Sequence, residues 1–184
     1  MQKRKLHELA LCGAAALLTA TVGAQGPDLS GTWRLDPSRS QVSPGAALAG
    51  LNPAGPPDTL HITQASNGTL VIESQINESH SRIYKPGGKT STPVGQAGSI
   101  TMTSRREGRT LVGEGRQETT AGASTLVKDV KEVIALSADG RTLTIEVTTS
   151  GSDEKSASTL VYTRTHDVGP CKTWPTPCKS PSAE

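Results

Sequence analysis

The side chains that could do chemistry lie far apart along this sequence. The three histidines that follow the first 24 residues fall on separate predicted elements, without the close spacing of a metal-binding helix or loop. They are His61, His80 and His166. We therefore expect them to be solvent-facing strand residues, and we predict no metal site. Ser79 and Ser81 place hydroxyl groups beside His80, but a nucleophilic triad also needs an orienting carboxylate and an oxyanion hole. No catalytic constellation is recognised, and we do not expect an enzyme.

Two cysteines near the C-terminus predict a covalent link. Cys171 and Cys178 lie close together in the stretch CKTWPTPC. Once Cys12 is removed with the predicted signal peptide described below, this pair has nothing else to join and in an oxidising compartment most simply forms a local disulfide. Two cysteines without clustered histidines cannot complete the tetrahedral shell of a zinc site. We predict this disulfide and no cofactor.

The first 24 residues predict export. Basic residues at positions 3–5 precede an apolar run from Leu9 to Val22, and small residues lead up to Ala24. These are the three parts of a secretory signal peptide, and the apolar run falls short of the roughly 20 residues that span a bilayer. We predict cleavage after Ala24, a periplasmic or secreted location, and no membrane span in the mature chain.

The charge balance excludes two classes of partner. Removing the signal peptide takes away three of the 19 basic and one of the 17 acidic residues, which leaves 16 of each sign. A chain without net charge lacks the basic surface of a nucleic-acid-binding protein, and no run of basic residues indicates a membrane surface. We expect no nucleic-acid partner, and a protein partner stays unknown.

Alternation of apolar and polar residues predicts a chain of short strands. In TLHITQ, Leu60 and Ile62 alternate with polar residues, TLVIESQI follows the same pattern, and the SNG between them is typical of a turn. Together with residues 31–35, this pattern predicts about eight or nine antiparallel strands in simple succession. The further runs span residues 82–85, 98–106, 109–118, 125–136, 141–149 and 156–165, with short polar junctions between several of them.

This succession predicts an all-β fold. Residues 125–136 also fit a helical face through Val127, Val130 and Ile134, but their β-branched content favours a strand. Without other convincing helical segments, a parallel sheet would lack its crossover connections. An antiparallel up-and-down β-barrel is therefore expected, since closure removes exposed edges. An open β-sandwich is the alternative.

A proline-rich connection separates the first strand from the others. Residues 37–57 contain five prolines and cannot hold a strand. Connections of this length are usually functional lids or mobile segments, so a lid near one mouth of the barrel and a flexible insertion both remain open. The 160 residues after the signal peptide suit one domain. We assign residues 25–165 to the barrel and residues 166–184 to a proline-rich tail.

The first and last predicted strands carry a family resemblance. SGTWRL, with Gly31 and Trp33, and LVYTRT, with Arg164, resemble the lipocalin and fatty-acid-binding-protein superfamily. The resemblance implies that Arg164 packs over the Trp33 indole and, with Gly31, closes one end of the barrel. Fatty-acid-binding proteins carry a carboxylate-binding Arg-x-Tyr near their end, whereas here Tyr162 precedes Arg164. Fatty-acid binding is therefore not implied.

The sequence resembles one subgroup of this superfamily more closely, and the functional prediction follows from that resemblance. The frame DLSGTWRLDPSRS, LHITQ, GTLVIES, IYKPGGK, LSADGRTLTIEV and LVYTR resembles small exported bacterial lipocalin-like proteins of uncharacterised function. We predict an exported barrel that binds a small hydrophobic molecule in its interior. The alternative is a structural or protein-interaction module of the cell envelope with a packed, ligand-free barrel. The inward-facing candidates for ligand contact are Leu60, Ile62, Leu70, Ile72, Ile100, Met102, Leu143, Ile145 and Tyr162.

Overall fold

Ten β-strands make up the regular structure of the part of the chain that is described. The computed structural model describes residues 26–43, 46, 48, 55–74, 81–94, 98–152 and 154–165. The strands are β1 (Gly31–Leu35), β2 (Thr59–Gln64), β3 (Leu70–Glu73), β4 (Ser81–Tyr84), β5 (Lys89–Pro93), β6 (Gly98–Glu107), β7 (Thr110–Ala121), β8 (Ser124–Leu136), β9 (Thr142–Ser150) and β10 (Lys155–Arg164). None of the described segments forms a helix long and apolar enough to cross a lipid bilayer. The predicted all-β class is confirmed.

All ten strands belong to one antiparallel sheet that curls into a nearly closed barrel. Their order is β4-β3-β2-β1-β10-β9-β8-β7-β6-β5, so β1 lies between β2 and β10. The two ends of the sheet meet where the turn between β4 and β5 bonds to β6. There the Gly87 N–H donates to the Ser104 carbonyl at 2.7 Å, and the Ser104 N–H donates to the Gly88 carbonyl at 3.2 Å. The predicted up-and-down barrel is confirmed over the open sandwich.

The strand count exceeds the predicted eight or nine because of β5. This strand, KTSTP, has no aliphatic side chain outside its terminal proline and only one buried residue, Thr92. It therefore lacks the apolar alternation from which the other strands were predicted. β8 is a strand over its whole length, Ser124–Leu136, so the strand interpretation of residues 125–136 is also confirmed.

The proline-rich connection packs against β10 and into the barrel. Gln41 and Thr159 exchange both of their backbone hydrogen bonds at 2.8 Å, and the Tyr162 hydroxyl donates to the Pro57 carbonyl at 3.0 Å. Farther along the connection, the described residues Ala46 and Leu48 are fully buried and join the hydrophobic core. This loop therefore contributes apolar volume to the interior.

Several predictions concern residues beyond the described ranges. The signal peptide of residues 1–24, the tail of residues 166–184 with Cys171 and Cys178, and two of the histidines, His80 and His166, all lie there. These predictions stay open.

Candidate binding site in the barrel interior

The nine side chains predicted to face a ligand all lie in the hydrophobic core. Their alternation along the strands directs them to the inner face of the barrel, as the period of two requires. Each is between 0 and 2% exposed, so its atoms contact other protein atoms on every side. A role in ligand contact stays a prediction for all nine, which are Leu60, Ile62, Leu70, Ile72, Ile100, Met102, Leu143, Ile145 and Tyr162.

One end of the barrel is built around Trp33. The indole is fully buried, and its Nε1–H donates to the Leu29 carbonyl at 3.0 Å. The Arg164 guanidinium, directly across the strand pair, lies 4.5 Å from the ring centroid. Such a cation–π contact contributes about 0.5 to 2 kcal/mol. Gly31, the first residue of β1, has a φ of 143°, a backbone conformation that favours glycine, and a Cβ atom there would lie 3.8 Å from both the Arg164 Nη1 and the Trp33 Nε1.

A charged cluster that sequence reasoning missed lies inside the barrel. Arg82 on β4 donates through Nη1 to Oε1 of Glu132 on β8 at 2.8 Å, and the Tyr84 hydroxyl donates to the other carboxylate oxygen. The three residues are only 1%, 0% and 0% exposed. Burial raises the pKa of Tyr84 well above its ordinary value, and the neighbouring Glu132 carboxylate adds to this effect. We refer to Arg82, Tyr84 and Glu132 as the interior cluster.

Gly113 makes room for the interior cluster. Ser104, Gly113 and Glu132 are cross-strand neighbours in one row across β6, β7 and β8. A Cβ atom at Gly113 would lie 2.9 Å from the Met102 Cε and 3.2 Å from the Tyr84 Cε1. The missing side chain lets the phenol ring and the thioether pack directly against the β7 backbone. The Met102 sulfur in turn lies 3.3 Å from the Arg82 Nη1.

Ser104 adds a further polar group to the same face. It follows Met102 by two positions on β6, so both side chains point inward. Ser104 is 5% exposed, and its hydroxyl has no hydrogen-bond partner within the part of the chain that the structure describes. A buried hydroxyl without a partner costs about 1 to 3 kcal/mol. It is therefore available to a bound molecule.

A sequence signal for this cluster did exist. Glu132 shares the inward parity of Val130 and Ile134, and Arg82 and Tyr84 flank Ile83 in SRIY. A charged residue in register with apolar neighbours is a candidate for a buried polar site.

The prediction that His61 faces solvent is wrong. Its side chain lies on the outer face of β2, yet it is only 7% exposed. Burial lowers the pKa of His61 from 6.5 to about 4, because the cationic form loses its hydration. The Thr32 hydroxyl oxygen lies 3.1 Å from the imidazole Nδ1. His61 is therefore neutral at physiological pH and buried on the outer face of β2.

Two open hollows on the surface lie apart from the interior. One, of about 410 Å³, is lined by charged residues that include Glu114, Asp129, Lys131 and Lys155. The other, of about 310 Å³, lies beside Asp36. None of the nine predicted contact residues lines either hollow. Neither hollow therefore coincides with the predicted interior site.

Comparisons with known proteins do not place the chain in a family. No protein-family model and no curated protein matches it. Among solved structures, it is similar to a luciferase domain from the dinoflagellate Lingulodinium polyedrum, with 10% sequence identity and a TM-score of 0.45. The match covers 74% of this chain and 42% of that chain, so the chain spans less than half of that structure's length. The barrel assignment rests on the strand order and register of the molecule itself.

Proposed function

We propose that this protein binds a small, largely apolar molecule inside the barrel and that the interior cluster recognises the molecule's polar group. The observation that carries the proposal is the full burial of the Arg82–Glu132 ion pair among aliphatic side chains. Removing two charges from water costs several kcal/mol per ion, and apolar residues of similar volume are often at least as stable in their place. Stability alone is therefore a weak reason for such a pair, whereas in a binding site it would supply a polar anchor.

The burial of ionisable groups supports the same conclusion. Side chains whose titration is strongly shifted by burial and by a specific partner are concentrated at functional sites, and Tyr84 is such a group. The surrounding lining is aliphatic, as in most small-molecule sites. Protein side chains, including Ala46 and Leu48, already occupy the core, so an apolar ligand would require some of them to move.

A ligand screen with a matched variant tests the proposal. Native mass spectrometry of the purified protein, combined with a thermal-shift screen of small hydrophobic molecules, is expected to find a bound mass or a rise in Tm. The double variant Arg82→Met with Glu132→Leu keeps the interior filled and removes both charges. It is expected to stay folded and to lose the response. A wild-type protein that is empty and indifferent to every compound would contradict the proposal.

A packed, ligand-free barrel of the cell envelope is the second candidate. It is favoured by the near-zero exposure of all nine predicted contact residues. In that case the double variant is at least as stable as the wild type, and neither protein responds to the screen. Partner capture from envelope extracts that requires residues 166–184 would support this role, and capture that is unaffected by their removal would count against it.

We further propose that the protein is exported, on the strength of residues 1–24. Mass spectrometry of protein from periplasmic and culture fractions is expected to find an N-terminus at Gln25. A thiol-alkylation assay is expected to label Cys171 and Cys178 only after reduction. Full-length protein confined to the cytoplasm would contradict export, and labelling without reduction would contradict the disulfide.

A further inference from the structure

The interior cluster already contains an anion, the Glu132 carboxylate, that balances the Arg82 charge. One oxygen of Glu132 accepts from Arg82 at 2.8 Å, and the other accepts from Tyr84. The guanidinium charge is therefore already balanced inside the barrel. A ligand does not need to bring an anion to this site.

A ligand carboxylate would lie near the Glu132 carboxylate in a buried interior. Two carboxylates that share a buried site cannot both ionise without a large penalty. The ligand would have to bind protonated or displace a fully buried side chain. A neutral polar group meets no such obstacle.

The Ser104 hydroxyl supplies the complementary group for such a ligand. It is buried on the inner face of β6, two strands from Glu132 in the same cross-strand row. With neighbouring strands about 4.8 Å apart, the two Cα atoms are about 10 Å from each other. A hydroxyl both donates and accepts hydrogen bonds, and this one has no partner among the described residues. A ligand hydroxyl or carbonyl would satisfy it.

We propose that the interior ligand is a neutral, mostly apolar molecule whose hydroxyl or carbonyl group binds Ser104 beside the interior cluster, and that Glu132 excludes carboxylates. This inference rests on the proposed interior binding function and names the chemical class of its ligand. Glu132 is then a specificity-determining residue, since its charge decides which head group is admitted.

Two probes of equal chain length, dodecanol and dodecanoate, test the inference. Affinities for both are measured at neutral pH by native mass spectrometry and calorimetry on the full chain. The wild type is expected to bind dodecanol at least about tenfold more tightly than dodecanoate, because the carboxylate is repelled. Glu132→Gln keeps the shape and removes the charge, and it is expected to raise the affinity for dodecanoate by about tenfold.

Circular dichroism checks whether Glu132→Gln is folded. A second variant, at Ser104, tests the inference even if Glu132→Gln does not fold. Ser104→Ala is expected to weaken dodecanol binding by about three- to tenfold. Thr103→Val, at the neighbouring outward-facing and exposed position, is the matched control and is expected to change nothing. Equal affinities in Ser104→Ala and the wild type would overturn the role of Ser104.

The ranking of the two probes separates two kinds of failure. Wild-type protein that binds dodecanoate as tightly as dodecanol overturns the inference and leaves interior binding intact. Wild-type protein that binds neither probe counts against interior binding itself, and the inference falls with it.

Discussion

Two of the arginines on the inner face of this barrel, Arg164 and Arg82, are held in opposite ways. Arg164 at the barrel end is only partly buried and lies 4.5 Å from the centroid of the Trp33 ring. Arg82 is 1% exposed and bonds to the Glu132 carboxylate at 2.8 Å. The first keeps part of its hydration while covering an apolar ring, and the second loses nearly all of it. We therefore expect the barrel end to contribute to stability and the interior cluster to contribute little or to reduce it.

Trp33→Ala is the largest expected perturbation, and it tests the barrel end. Truncating this fully buried indole leaves a cavity and removes the surface over which Arg164 packs. We expect the free energy of unfolding in urea to fall by about 3 to 5 kcal/mol. A loss below about 1 kcal/mol would show that the indole does not support the core.

Glu132→Leu tests the interior cluster and is next in size. It leaves the Arg82 charge buried without its carboxylate, which is expected to cost about 3 kcal/mol in the same urea experiment. Adding Arg82→Met to this variant removes the orphaned charge and is expected to restore the stability to within about 1 kcal/mol of the wild type. A double variant as unstable as the single one would mean that the pair supports the fold, as Trp33 does.

The titration of His61 gives a pH dependence of stability that involves neither the barrel end nor the interior cluster, since His61 lies on the outer face. Its pKa is lowered to about 4 in the folded protein, so between pH 6.5 and 4 the unfolded state binds the proton and the folded state does not. The contribution of His61 to the free energy of unfolding is therefore fully present above pH 6.5. It is expected to fall by about 1 to 2 kcal/mol as the pH drops through this window. His61→Asn should flatten the pH profile there, and an unchanged profile would refute this assignment.

Arg164→Met has the smallest expected effect and isolates the cation–π contact. The methionine keeps much of the apolar contact with Trp33, so only about 1 kcal/mol should be lost. Arg34→Met, on the exposed face of the same strand as Trp33, is the matched control and is expected to stay within about 0.5 kcal/mol of the wild type. Equal losses for both variants would mean that the guanidinium over the ring contributes no specific stabilisation.

Local patterns predicted most of this fold but could not predict the cluster. The alternation in β2 and β9 places aliphatic residues on one face, and this is sufficient to infer strands and their order in a meander. β5 was missed because threonine, serine and lysine show no such alternation. The contact between Arg164 and Trp33 lies where the family resemblance implied it.

The interior cluster depends on information that no single segment holds. Arg82 and Glu132 are 50 positions apart in the chain, and their pairing follows from how far the sheet curls before β4 approaches β6. Glutamate is usually solvated, so residue type predicts an exposed position for Glu132, whereas its parity with Val130 and Ile134 indicates an inward one. His61 was misjudged for the related reason that an outward-facing position was equated with an exposed one.

The place of β1 between β2 and β10 also has a consequence for the order of events in folding. Thr165 bonds to Thr32 across 133 positions of sequence, whereas the hairpins from β6 to β10 connect neighbours and can form early. Among the described strand pairs, β1 and β10 are farthest apart in the chain, so we expect their contacts to form after the largest of these loop closures. We therefore expect Arg164→Met to accelerate unfolding and to leave the refolding rate nearly unchanged, as for a contact made after the rate-limiting barrier. Of the described strands, β1 is the first to be synthesised, and it is then the last to find its second partner.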